Sequence, residues 1–124
     1  MILADTSIWI DFLRGSKPEM QTLLASGQIA MHPFIVAEMA LGSLKNRQST
    51  FALMESLWQV KVARLDEVRH MIEVHNLYSK GLGLTDVHLI ASCLITPGTL
   101  LWTRDLSLER AALALCVHFS PTTP

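Results

Sequence analysis

Met1-Ile2-Leu3-Ala4-Asp5-Thr6-Ser7-Ile8-Trp9-Ile10-Asp11-Phe12-Leu13-Arg14-Gly15 is the stretch that decides the architecture. Its first four residues form an apolar run without alternation, as expected of a strand buried on both faces of a parallel sheet. Asp5 closes that run, Thr6 or Ser7 supplies an N-cap, and the helix from Ile8 to Arg14 stops at Gly15. The pattern returns near the other end, where Thr99-Leu100-Leu101-Trp102-Thr103-Arg104 runs into Asp105 and a helix through Leu108 to Ala114 follows. Open parallel sheets bind ligands just beyond the carboxyl ends of their strands, which puts Asp5 and Asp105 at a reactive rim.

Working outward, Pro18 opens a short helix to Ala25 that ends near Gly27, and Gln28 to His32 reads as a strand. Pro33 opens a helix carrying Glu38, and Gly42 to Arg47 is a joint before an amphipathic helix over Phe51 to Trp58. Val60 to Leu65 alternates as a third strand, and Asp66 caps a helix to about Lys80. Gly81 and Gly83 break it, Asp86 begins the next helix, and that helix ends before Thr96-Pro97-Gly98. Cys116 to Phe119 makes a final strand. Strands alternating with helices predict an α/β fold: one domain over 1–119, a central, mainly parallel sheet of four to five strands flanked by helices, and a disordered end at 120–124.

The 124 residues suit one domain and leave no room for a separate substrate domain. Charged residues make up 17% of the chain, below the roughly 25% usual in soluble domains. With a mean hydropathy of +0.34, some apolar surface is expected to be covered by a partner. Every apolar stretch is interrupted well before the about 18 residues that cross a bilayer, and no export signal is read at the start, so a cytoplasmic protein with no membrane association is expected. Cys93 and Cys116 lie in apolar surroundings without ligand spacing and read as small buried thiols.

Four acids stand against apolar stretches: Asp5, Glu38, Asp86 and Asp105. Asp5 and Asp105 are also readable as helix caps, and Asp86 as a first-turn acid favoured by the helix dipole. Glu38, within Ile35-Val36-Ala37-Glu38-Met39-Ala40-Leu41, has no capping role and either faces water or has a cation. Like charges at about 4 Å repel by about 4 kcal/mol per pair at an effective dielectric near 20, so four gathered carboxylates need a divalent ion. All-oxygen ligands favour Mg²⁺ or Mn²⁺. The formal net charge is −1. Setting the four acids aside leaves ten basic residues against seven acids, a mildly basic surround that suits a phosphate-bearing substrate.

These motifs resemble those of PIN-domain ribonucleases, and specifically the VapC-type toxins of VapBC toxin/antitoxin pairs, over nearly the whole chain. Ile2-Leu3-Ala4-Asp5-Thr6-Ser7-Ile8-Trp9-Ile10 is similar to the family's first strand and helix. Val36 to Gly42, Gly83 to Ala91 and Leu101 to Asp105 are similar to its second, third and fourth acidic motifs. The resemblance implies that Asp5, Glu38, Asp86 and Asp105 are the catalytic, metal-ligating residues, with Mg²⁺ or Mn²⁺ as cofactor and RNA phosphodiesters cut by a metal-activated water. It also implies a homodimer and a cognate small antitoxin protein. Ser107 stands where many relatives carry a further acid or amide, leaving one ion or two open. Ser7 and Thr103 are candidate supporting hydroxyls. Arg14, Lys45, Arg47, Lys80 and Arg104 are candidate phosphate contacts, with Arg104 foremost and Arg14 equally readable as a helix end. Trp9, Phe12, Phe34, Phe51 and Trp58 are core or partner-groove residues, and His32, His70, His75, His88 and His118 are structural. The alternative is a non-catalytic PIN-like module that binds RNA or protein. A phosphoryl receiver would need adjacent acids and a late lysine, an aspartyl phosphatase a second acid at Ser7, and a dinucleotide binder glycines after the first strand.

Overall fold

A computed structural model describes residues 1–121. Its centre is a four-stranded parallel sheet of β1 (Ile2–Ala4), β2 (Ile29–Met31), β3 (Trp58–Gln59) and β4 (Leu100–Trp102), in the order β3-β2-β1-β4. In β1, Ile2 and Leu3 face Ile29 and Ala30 on one side, while Ile2, Leu3 and Ala4 face Leu100, Leu101 and Trp102 on the other. All three β1 residues and all three β2 residues are buried, as their unbroken apolar run requires. The chain steps from β1 to β2 to β3 in one direction and then crosses back to place β4 on the far side of β1. That reversal opens a crevice at the carboxyl ends of β1 and β4, the place where such sheets hold ligands.

Helices α1 (Thr6–Leu13), α2 (Pro18–Ala25), α3 (Pro33–Ala40), α4 (Arg47–Ser56), α5 (Leu65–Val74), α6 (Leu84–Ile95) and α7 (Leu106–Ala114) surround the sheet. The apolar α6 buries Val87 through Cys93 without interruption and packs between α5 and β4. Trp9 of α1 is fully buried with its ring edge on Phe12, and His32 caps α3 by accepting the Phe34 N–H at 2.9 Å.

Several expected boundaries move. The third strand is Trp58–Gln59 and not Val60 to Leu65, because the Lys61 N–H leaves the sheet for the Thr96 hydroxyl at 3.1 Å. The helix expected from Asp66 to Lys80 is α5, which starts after Arg64 and ends at Val74; Asn76, at φ 52°, turns the chain in the left-handed region. Cys116 to Phe119 forms a single bridge, Leu101 to His118, and not a strand. Cys116 is exposed rather than buried, while burial pushes the Cys93 thiol up to about 12. Ser120 and Pro121 carry no regular structure, and the rest of the expected disordered end lies outside the described residues. Among the described residues no helix is long and apolar enough to cross a membrane.

Candidate functional site

The site begins where β1 stops. Asp5 leaves the sheet in extended conformation, its N–H still donating to the Trp102 carbonyl at 3.0 Å, and becomes the N-cap of α1. The cap is therefore Asp5 and not Thr6 or Ser7. Its Oδ1 accepts the Ile8 N–H at 3.2 Å and the Ser7 hydroxyl at 2.5 Å, while Oδ2 accepts the Thr103 hydroxyl. Those two hydroxyls also tie down the loop after β4: Ser7 Oγ accepts the Arg104 N–H at 3.1 Å and Thr103 Oγ1 accepts the Asp105 N–H at 3.0 Å. Asp5 is 6% exposed. Burial pushes its carboxyl above the usual carboxylate range, against the opposing pull of the Ser7 and Thr103 hydroxyls and the Ile8 amide.

Asp105 is the N-cap of α7, its Oδ1 accepting the Leu108 N–H at 2.9 Å. Asp86 lies in the first turn of α6, its Oδ2 accepting the Gly83 N–H at 3.0 Å. The capping readings of these acids therefore hold, but each cap uses one oxygen only. Among the described residues, Oδ1 of Asp86 and Oδ2 of Asp105 accept nothing. Burial raises the Asp86 carboxyl above its usual range, and the negative charges of Asp105 and Glu38 raise it further, so acids from α3, α6 and α7 share one field.

Of the two readings open for Glu38, the structure shows the one that faces water. Glu38 is exposed, because α3 buries only Ile35 and Met39, one turn apart, and turns its remaining apolar residues toward the edges. Its carboxylate accepts the Thr6 hydroxyl at 2.8 Å and borders a cleft of about 730 Å³ between α1 and the α3–α4 joint, with Arg14 and Lys45 on the wall. Arg47, by contrast, is spent on the carbonyls of Gly42 and Ala40 and over the Phe51 ring.

None of the four acids is paired with Lys or Arg among the described residues, and the hydroxyl and amide donors around them are neutral. An all-oxygen, acid-rich set with open lone pairs and no resident cation fits a hard divalent ion. Among the described residues, no group of three or more acids, histidines or cysteines is already arranged to hold one.

Two contributors escaped the sequence reading. Thr6 was readable only as a cap, yet it orients Glu38. Asp11 is buried, with its Oδ2 at 3.3 Å from Arg104 Nε and 4.0 Å from Lys17 Nζ. Its signal was available: Ser7 and Asp11 are four apart and share a helix face.

The sequence profile described as PIN domain matches residues 2–113. The chain belongs to the PIN-domain family. It is 39% identical over 111 residues to Ribonuclease VapC32 from two strains of Mycobacterium tuberculosis, covering 90% of this chain and 90% of each relative. The crystal structure of PAE2754 from Pyrobaculum aerophilum superposes with a TM-score of 0.55 at 17% identity, over 89% of this chain and 78% of that one. At that identity the likeness carries the fold alone. The α/β architecture with its central parallel sheet is thus the PIN fold, and the VapC kinship places the chain among the VapC-type members.

Proposed function

We propose that this PIN-domain protein is an endoribonuclease of the VapC type, the toxin of a toxin/antitoxin pair, with Asp5, Glu38, Asp86 and Asp105 holding Mg²⁺ or Mn²⁺ for hydrolysis of RNA phosphodiesters. The observation that carries it is that none of the four acids has a Lys or Arg partner among the described residues, while Asp86 and Asp105 each keep one carboxylate oxygen unbonded there. A divalent ion there would supply Lewis-acid chemistry, lowering the pKa of water and offsetting phosphate charge. The chain's own residues do the positioning. Ser7 and Thr103 fix both oxygens of Asp5, Thr6 steadies Glu38, and the Gly83 and Leu108 amides hold one oxygen each of Asp86 and Asp105. Arg14 and Arg104, on opposite sides of α1, are the phosphate contacts. The likeness to VapC32 supports RNA as substrate and a cognate small antitoxin as partner. A homodimer would cover part of an apolar surface that includes Leu41, which is 90% exposed.

The test is incubation of purified protein with RNA and Mg²⁺ or Mn²⁺ beside Asp5→Asn. Cleavage by the wild type alone is the expected result; equal cleavage by both would place the activity elsewhere.

A further inference from the structure

α1 presents two flanks. Thr6, Ile10 and Arg14 turn toward Glu38 and its cleft, whereas Ser7 and Asp11 turn toward the loop after β4. On the second flank a buried carboxylate meets an exposed guanidinium. Asp11 is 9% exposed and the Arg104 side chain 61%, with Arg104 Nε at 3.3 Å from Asp11 Oδ2 and the backbone N–H of Arg104 fixed by Ser7 Oγ. Lys17 approaches the same carboxylate oxygen from α2's N-terminus at 4.0 Å. Two cations against one carboxylate leave a net positive charge beside an acidic centre.

Stability explains this arrangement poorly. An ion pair with an exposed partner contributes about 0–1 kcal/mol, and burying a carboxylate is costly. What the arrangement produces is an arginine drawn toward one side of the loop by an ion pair at 3.3 Å. A guanidinium held at Nε keeps its Nη donors for another ligand, and those of Arg104 bond to no atom among the described residues. The free edge is a planar fork that matches phosphate geometry. Arg104 is also adjacent in the chain to Asp105, about 3.8 Å along the backbone. Arg14 on the opposite flank has no anchoring carboxylate among the described residues, so its ordering must be supplied at binding.

From this geometry we infer that Asp11 is a positioning residue: it holds Arg104 so that the guanidinium takes a phosphate of the RNA strand neighbouring the one that is cut, with Lys17 adding charge. The inference rests on the RNA reading above and deepens it with a phosphate subsite outside the four acids. It carries a discriminating sign. Asp11→Asn removes a negative charge close to a polyanion, which by charge alone tightens RNA binding, whereas loss of the anchor weakens it.

The experiment reads binding apart from cleavage, as fluorescence anisotropy of a short fluorescein-labelled single-stranded RNA with the whole protein in Ca²⁺, an ion that accepts loose oxygen geometry. Arg104→Gln is expected to weaken binding about tenfold, the weight of one charge-assisted contact. It should also reduce the salt slope by about 0.7, one phosphate on a single strand. Asp11→Asn is expected to weaken binding a few-fold, in keeping with the about 0–1 kcal/mol of an ion pair with an exposed partner, and the double variant no more than Arg104→Gln alone. Arg104→Lys, exposed and safe for folding, should also bind more weakly, since an ammonium lacks the planar fork that reaches a phosphate bidentately while another edge faces Asp11. Wild-type affinity in Arg104→Lys, tighter binding in a folded Asp11→Asn, or additive losses in the double variant would each overturn the inference. Absence of cleavage in Mg²⁺ and Mn²⁺ with these binding effects intact would remove the nuclease reading and leave the subsite standing.

Discussion

The site has a buried half and an exposed half, and they are built on different terms. At the seam of β1 and β4, Asp5 is enclosed, both its oxygens accept hydroxyls, and those hydroxyls are themselves bonded to the neighbouring loop. At the rim, Glu38 and Asp105 are exposed and each rests on a single donor. A buried charge must be satisfied to exist at all, so the fold fixes Asp5 in one geometry. Rim acids cost little to place, and what orders them tightly has to come from what they bind. The first prediction puts the largest effect on the buried half: Asp5→Asn should lower RNA cleavage about a thousandfold or more, several kcal/mol of barrier, with its melting temperature little changed because Asn caps helices as well as Asp. Activity retained within tenfold, measured beside circular dichroism melts, would break the distinction.

The same contrast sets pH behaviour. Burial, reinforced by neighbouring His88, holds the His32 imidazole at about 4, below its unfolded value near 6.5. The unfolded chain therefore binds more protons between those values, and stability falls as pH drops from about 6.5 toward about 4, by on the order of 2–3 kcal/mol. Asp5 works in the opposite sense, since a raised carboxyl favours the folded state at low pH and costs stability once the pH passes above the ordinary carboxylate range. Urea midpoints taken from pH 7 to pH 4.5 should fall, and His32→Asn should flatten that slope; an unchanged slope would mean that His32 is not the buried base. Adding Mn²⁺ at neutral pH tests the rim, because an ion that binds only the folded state at a hundred times its dissociation constant adds about 2.7 kcal/mol. No thermal shift at millimolar Mn²⁺ would sink the metal reading while leaving the fold untouched.

Legibility in the sequence followed the same division. β1 with α1, and β4 with α7, were readable because an unbroken apolar run ending in Asp leaves few alternatives, and Pro33 marked the start of α3 as its fixed φ demands, whereas the helix before Gly81 ended at Val74, well short of the glycines. Glu38 was placed on its helix correctly, with its exposure left open between water and a cation. Apolar neighbours in sequence do not bury a helix position when only the Ile35 and Met39 stripe meets the core. β3 was misplaced because Val60-Lys61-Val62 imitates alternation in sequence, whereas Val62 is exposed and the ladder bonds lie two residues earlier. Asp11 shares a helix face with Ser7, but its partners, Lys17 and Arg104, come from different elements, and only the folded sheet brings Arg104 to it.

Two threonines provide the finest comparison, since each gives one hydroxyl to one acid. Thr103 is buried, donates to Asp5 and accepts the Asp105 amide, so Thr103→Val orphans a buried carboxylate oxygen and a backbone N–H together. Residues that orient metal ligands in this way cost about 10–100-fold in activity or metal affinity when removed. Thr6 donates to an exposed Glu38, where water replaces the lost hydroxyl, so Thr6→Val should cost no more than a few-fold, the weight of one solvent-accessible hydrogen bond of about 0.5–1.5 kcal/mol. Both substitutions are isosteric and keep the helix and loop backbones. Measuring kcat and the Mn²⁺ dependence for the pair therefore compares a buried hydroxyl that links two acids with a solvent-accessible one that serves a single acid. If Thr6→Val proved the more damaging of the two, Glu38 would be the acid whose geometry limits the reaction, and the buried seam would serve the fold more than the chemistry.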